Sequence, residues 1–215
     1  MLEEKKLEVI EPKIKFTEEA LLIDYPIEYI LENKLYKLSP NKKILYKYIT
    51  FSSCIFKNID FTLIEFDNVE FIDCQFDNCD LSNKKFDKKA VHRCVFNNCK
   101  LVGCSFAGSS LKNVVFNQCN CKYSIFYETK IDKVIFNDTN LEQTSINNVN
   151  FKIVVFNHCS LNDAEILSTN MNNINLSSCQ ITNISFDIYS LKGLNVNMFQ
   201  AMELARYLGL VIKEN

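Results

Sequence analysis

Every fifth residue from Phe51 to Val196 is apolar. The series holds thirty positions, among them Phe56, Phe76, Phe96, Phe116, Phe136 and Phe156. At 47% hydrophobic residues overall, chance would supply about fourteen. A period of five fits neither a helix at 3.6 nor a strand at 2. It fits a chain that turns a corner every five residues. The residue two before each centre is small or β-branched: Cys54, Ile59, Ile64, Val69, Cys74, Cys79, Cys94, Cys99 and so on to Ile184. One large and one small side chain of each cell therefore point inward. The other three positions carry Asn, Asp, Lys, Ser and Gln and face water.

A second period of twenty sets the number of sides. Centres twenty apart form separate columns, with Phe in one (Phe56, Phe76, Phe96, Phe116, Phe136, Phe156) and mostly Leu in another (Leu81, Leu101, Leu141, Leu161). Outward Asn97, Asn117, Asn137 and Asn157 form a matching polar column. Four cells per coil make an all-β, four-sided solenoid, each coil pairing with its neighbours at about 4.8 Å. Thirty cells give roughly 7.5 coils and a rod about 36 Å long at that spacing.

Cells such as CQFDN (74–78), CDLSN (79–83), CSFAG (104–108) and SSLKN (109–113) resemble those of the pentapeptide-repeat family. The resemblance implies a right-handed quadrilateral β-helix. The tail LKGLNVNMFQAMELARYLGL (191–210) is similar to the C-terminus of the Qnr and MfpA quinolone-resistance proteins. That likeness implies a tail-to-tail homodimer and a rod that mimics DNA toward DNA gyrase or another type II topoisomerase.

The chain divides into a capping extension (1–43), the repeat (44–196) and a dimerising tail (197–215). FTEEALL, DYPIEYILE and NKLYKL in the extension read as a short helix and irregular apolar segments packed over the first coil. In the tail, Asn197 and Gln200 form a capping box, a helix runs to about Leu208, Gly209 stops it and Leu210–Ile212 is a short strand. Ala201, Leu204, Ala205 and Leu208 form the stripe that closes the coil. Met198, Phe199 and Met202, with Leu210 and Ile212, remain for a second copy, since an exposed apolar patch needs a partner.

Chemistry has few candidates. Nine of the ten cysteines occupy the inward small position and Cys121 a centre, so their spacing follows the period of five, not that of a zinc site. In the stretch VFNHC (155–159), Cys159 points inward and His158 sits at an outward corner, which rules out a dyad. No catalytic residue, cofactor site or metal site is expected. The N-terminus lacks the apolar core of a signal peptide, and no apolar run reaches membrane-spanning length. Cytoplasmic placement with free thiols follows.

A net charge of −2 argues against direct nucleic-acid binding. Residues 51–196 hold 15 acids against 13 bases. The candidate partner-binding carboxylates are Asp60, Glu65, Asp67, Asp77, Asp80 and Asp87, in a stretch poor in lysine. Two readings stand beside one another: the topoisomerase-directed DNA mimic and a general protein-interaction scaffold. One segment breaks the pattern. Lys84 and Lys89 occupy inward positions within NKKFDKKAVHR (83–93); either the lysines snorkel outward at a distorted corner or the segment bulges, and a local bulge is favoured because buried unpaired lysines are costly.

Overall fold

The computed structural model describes residues 8–15, 17–23, 26 and 28–213. It is a β-solenoid of about eight turns with a small helical region at its C-terminal end. Every ladder is parallel, and within the coil the pairs lie twenty apart, as in Phe51 with Phe71, Phe96 with Phe116 and Phe116 with Phe136; the first strand, Glu18–Ala20, pairs at sixteen. The longest strands, Ala90–Asn97, Ser110–Asn117, Lys130–Asn137 and Asn150–Asn157, run through two adjoining sides of the coil.

The corners explain how a chain with four glycines turns so often. The residue two after each centre has positive φ at almost every cell, including Asn58, Asn78, Asn98, Gln118, Asp138 and His158. Asn and Asp tolerate this left-handed region best among residues with a side chain. At most of these corners the N–H donates to the carbonyl nineteen residues on: Asn58 to Asp77, Asn78 to Asn97, Tyr123 to Glu142. Each such bond holds a strained corner against the next coil, so Tyr, Lys and Glu are accepted there too.

Of the thirty centres, all but Phe66, Phe151, Leu191 and Val196 are buried. Phe76, Phe96, Phe116 and Phe136 stack face to face at centroid separations of 4.6, 5.0 and 4.8 Å. Phe86, Phe106 and Phe126 stack likewise on another side. The inward small position has its own rule. The thiol of each of its nine cysteines donates to the carbonyl 23 residues earlier, from Cys54 to Leu31 and Cys74 to Phe51 through Cys179 to Phe156. Ser124, Thr129, Thr139 and Thr169 do the same with their hydroxyls. Cysteine is here a small buried group that still satisfies a backbone acceptor. All ten thiols are free and buried.

Several expectations need correction. Residues 83–93 do not bulge: their corners at Asn83, Lys88 and Arg93 keep the regular positive φ. Lys84 escapes burial by sending its ammonium to the Ile64 carbonyl at 2.7 Å, and Lys89 reaches the Asn68 side chain. Their methylene stems lie along the rod while the charges reach polar groups. The irregularity lies elsewhere, where Asp132 pairs with Ile153 and the register shifts on either side.

The N-terminal extension has no helix among its described residues. Glu18–Ala20 is a strand that pairs with Lys34–Tyr36 and closes the open edge of the ladder. Residues 1–7, and Phe16, Asp24, Tyr25 and Ile27 within the quoted segments, lie outside the described residues. The coil itself reaches back past residue 44, because Ile30–Glu32 pairs with Thr50–Ser52 and Leu35–Tyr36 with Ile55–Phe56. Leu31, Tyr36 and Tyr46 extend the five-residue series, which Asn41 interrupts.

Truncating Phe116 to Ala removes one ring from the middle of a stack and should cost about 3–5 kcal/mol. Chemical denaturation measures it; a near-neutral change would contradict a packed Phe column.

Candidate interaction surfaces

The six nominated carboxylates lie on three different sides of the rod. Asp60 and Asp80 share a column on the side centred on Phe61 and Leu81, and the column continues into Lys100. Asp80 is paired with Lys100 at 3.0 Å and also accepts from the Ser82 N–H. Burial pushes the Asp80 carboxyl up, but Ser82 and Lys100 together hold it below the usual carboxylate range. Asp60 accepts from the Thr62 N–H. Glu65, Asp67 and Asp87 lie on the side centred on Phe66 and Phe86. Asp67 faces Lys47 at 3.2 Å, and Asp87 accepts from the Ser105 hydroxyl and the Ala107 N–H. Asp77, on a third side, accepts from Gln75 and begins an amide ladder. Asn97 donates to Asp77, Asn117 to Asn97, Asn137 to Asn117 and Asn157 to Asn137, at 2.8–2.9 Å. The structure therefore brings the acids together in pairs at most and gives five of the six, all but Glu65, a basic or amide partner or a backbone donor.

The same pairing across coils recurs along the rod, in Lys122 with Glu142, Lys152 with Asp132 and Arg93 with Asp73. In these pairs charges twenty residues apart are opposite in sign, as favourable cross-strand neighbours should be, whereas Asp60 and Asp80 stack with like charge. Among the described residues no cluster of three or more His, Cys, Asp or Glu side chains could hold a metal ion. His158 is exposed at its corner while the Cys159 thiol donates inward to the Phe136 carbonyl, so the two side chains diverge.

At the C-terminal end, Asn197 caps Met198–Leu204 in a capping box with Gln200, and Ala205–Leu208 continues as a 3-10 turn that Gly209 ends at φ 69°. The face that closes the coil differs from the expected apolar stripe. Gln200 and Leu204 are the buried residues of the helix. The Gln200 amide donates to the carbonyls of Leu176 and Cys179 at 2.9 and 2.8 Å, and the Tyr207 hydroxyl donates to that of Ile184. An open β-coil presents carbonyls at its end, and polar side chains satisfy them better than alkyl groups do.

Met198, Phe199 and Met202 are exposed, as expected of a free stripe, with Phe199 at 75%. Ala201 and Leu208 also stay on the surface. With Ile188, Leu191, Leu194, Val196 and Leu210 they line an apolar groove of about 570 Å³. Leu210 and Ile212 are exposed, but residues 210–212 form no strand in this chain, having no partner to pair with. Of the groove-lining residues, the sequence places Leu210 at the dimer and Ala201, Leu204, Ala205 and Leu208 in the closing stripe, while Ile188, Leu191, Leu194 and Val196 are not foreseen as surface. Leu191 and Val196 kept the period of five, and nothing in that period signals that the last centres are only half covered.

A second feature was not foreseen. Residues 8–15 run along the rod over one corner. The Ile10 N–H donates to Asn113 at 3.1 Å, the Lys13 N–H to Asp73 at 2.9 Å, and the Ser53 hydroxyl to the Lys13 carbonyl. Ser53, Asp73 and Asn113 belong to one corner column. Asp73 also takes both donors of a bidentate pair from Arg93 at 2.6 and 2.7 Å.

Such a stack of five-residue cells defines a class of repeat protein in which each coil contacts only its neighbours. Residues 49–83 match the profile of pentapeptide repeats (eight copies), and residues 69–146 match that of the pentapeptide repeat region. Residues 49–146 are thus recognisable as pentapeptide repeats. Similar solved structures include a trypsin-treated variant of QnrB1, a plasmid-mediated fluoroquinolone resistance protein, at 16% identity and a TM-score of 0.43, over 94% of this chain and 100% of that one. Another is HetL, a pentapeptide repeat protein involved in heterocyst differentiation regulation from Nostoc sp. strain PCC 7120. It is 11% identical with a TM-score of 0.38, over 77% of this chain and 86% of that one. No curated protein matches the chain.

Two outcomes are expected. Gln200→Ala removes the side-chain donor from the Cys179 carbonyl, leaves that of Leu176 with the Cys179 N–H alone and breaks the capping box, at about 1–3 kcal/mol for an unsatisfied buried group, to be read by denaturation. The second concerns acid. Burial pushes the Asp73 carboxyl up, but Arg93 and the Lys13 N–H outweigh this and hold it below its ordinary value. Its contribution is then complete above the unfolded pKa near 3.9 and is lost as pH falls through the lower folded value. The amide shift of Lys13 in a pH titration should therefore report a midpoint below about 3.9. A midpoint at or above that value would disprove the contact.

Proposed function

We propose that this chain is a non-catalytic, protein-binding solenoid that works as a homodimer joined at its C-terminal ends. The observation that carries the reading is the contrast between the rod and its tail. Along the rod, five ion pairs join neighbouring coils; at the tail, Met198, Phe199 and Met202 are exposed on the same helix that lines an open apolar groove. A surface of that kind marks an association site, and a two-fold dimer needs only one self-complementary patch. Unpaired residues 210–212 could then gain a strand partner from the second copy. Ten buried thiols suit a reducing compartment such as the cytoplasm. No described helix is long and apolar enough to cross a membrane.

A narrower reading makes the partner DNA gyrase or another type II topoisomerase, with the rod standing in for DNA. It is supported by the tail pattern and by acids stacked one coil apart, Asp60 with Asp80 and Asp67 with Asp87. Duplex DNA, however, carries one negative charge per about 1.7 Å of axis. The Asp60–Asp80 column changes sign at Lys100 within two coils. The paired surface favours the general protein-binding reading over mimicry.

Sedimentation of the full chain at micromolar concentration should give a dimer, and Phe199→Asp should give a folded monomer. A wild-type chain running at 25.0 kDa would end the dimer reading. A gyrase supercoiling assay separates the two partner readings. On the general reading the purified chain leaves supercoiling unchanged. Inhibition or protection that is lost on reversing Asp60, Glu65 and Asp67 together would establish the narrower one.

A further inference from the structure

One coil stands apart on the side centred on Phe86, Phe106 and Phe126. Its outward positions hold Tyr123, Ile125 and Tyr127, exposed by 50%, 42% and 47%. The coil before it carries Gly103, Ser105, Ala107 and Gly108 in the same columns or beside them. Two of the chain's four glycines fall in this one coil.

The backbone does not require them. Asn83, Tyr123 and Gln143 occupy the Gly103 corner column, and Lys88, Glu128 and Asn148 that of Gly108, all at positive φ. What the glycines change is relief. A Cβ at Gly103 would stand 2.6 Å from the Asn83 side-chain oxygen, and one at Gly108 would stand 3.2 Å from Cγ of Lys88. Without them, Asn83 and the Lys88 stem lie down along the rod. The result is a trough one coil wide between a lysine-bearing coil and an aromatic ridge. Its walls are two coils, or about 9.6 Å, apart, close to the roughly 10 Å that a packed extended layer occupies.

The charge around it is only loosely compensated, with Glu65 one coil before Lys85 and Glu65, Asp60 and Asp80 all acting on Lys84 from a distance. Lys84, Lys85, Lys88 and Lys89 face one nearby acid in sequence, Asp87, whose carboxylate is taken up by Ser105 and the Ala107 N–H. Lys84 and Lys89 spend their ammonium groups on neutral oxygens. Neither Lys85 nor Lys88 has an ion-pair partner among the described residues, unlike Lys47, Lys100, Lys122 and Lys152.

We propose that this trough docks an extended acidic segment of a partner protein, its carboxylates toward Lys85 and Lys88 and an apolar side chain against Tyr123, Ile125 and Tyr127. Tyrosines make effective anchors because they bury a large area for little lost conformational freedom. The lysines supply orientation and a salt-sensitive encounter. The proposal rests on the reading of the chain as a protein-binding solenoid and names where on the rod that binding occurs.

The test pans the immobilised full-length chain against a random peptide library. Enriched peptides should combine Asp or Glu with an aromatic or aliphatic residue and bind more weakly as salt rises. Tyr123→Ser with Tyr127→Ser should reduce their affinity about tenfold or more. Lys85→Gln with Lys88→Gln should reduce it several-fold. Gly108→Asn should do the same by filling the trough, since Asn already serves that corner at Asn148. All three variants should melt with the wild type, their changes being outward. Enriched peptides that bind every variant as tightly as the wild type would remove the trough and leave the protein-binding reading standing. No enrichment at all would overturn both. An oligothymidylate strand that binds more tightly than any peptide, and is lost with the tyrosines, would overturn the acidic-segment assignment.

Discussion

The backbone bond from a left-handed corner to the coil above is the interaction on which this molecule depends. A square coil needs a sharp turn every five residues, and each turn places a residue with a side chain in a strained region. The bond from its N–H to the carbonyl nineteen residues on repays that strain, repeated from Tyr48 to Asp163. Because the partner is backbone, the corner side chain is almost free to vary. This is why Asn98, Gln118 and Asp138 serve in one column without altering the coil, while His158 at the same corner donates its N–H to the Ser178 hydroxyl. The inward cysteines add a further tie between coils, each thiol donating to a carbonyl of the previous coil.

A fold held by contacts between neighbouring coils leaves its ends as its weak points. The two ends are closed by different means. At the first coil, Glu18–Ala20 adds a strand, with Lys34–Glu18 and Lys37–Glu19 across it. At the last coil there is no further strand, and Gln200 and Tyr207 bring amide and hydroxyl donors to the exposed carbonyls. The polar plug uses one face of the terminal helix and leaves its apolar residues outside. The apolar surface at that end is thus a consequence of how the coil is closed.

Legibility in the sequence followed the periods. The four-sided coil, the separate Phe and Leu columns, the Asn ladder and the helix from its capping box to Gly209 were all readable, because each repeats or has a local chemical signature. For Lys84 and Lys89 the bulge is favoured over snorkelling because no partner is visible in the sequence; the structure supplies one, the Ile64 carbonyl for Lys84. The Glu18–Ala20 strand was invisible, since three residues carry no period and their partner is set by the open edge of Lys34–Tyr36. The strap at 8–15 was missed for a related reason. It is fixed by Asn113, Asp73 and Ser53, residues that look like any other corners until the arm lies across them. Of the candidate surfaces, the acids were found by composition, but their coil-to-coil pairing required knowing which residues stand twenty apart with their side chains extended toward one another.

Recognition on such a rod has to come from exceptions to its columns. A regular column with like residues is stabilising when they are Phe or Asn, which stack or chain their amides, and destabilising when they are charged. Hence Asp80 meets Lys100, Asp73 meets Arg93, and Glu142 meets Lys122. These pairs spend on a neighbouring coil the charge a partner would otherwise read. What remains available lies where the pairing fails, at Lys85 and Lys88, and where size jumps from one coil to the next, from Gly103 to Tyr123 and Ala107 to Tyr127. Both departures fall on one side of the rod within two coils. Neither improves the coil itself: exposed tyrosines add no core, and glycine gives up the stiffness that Asn would lend the same corner. Features that cost the scaffold something and converge on one place are the strongest physical sign that the place is used.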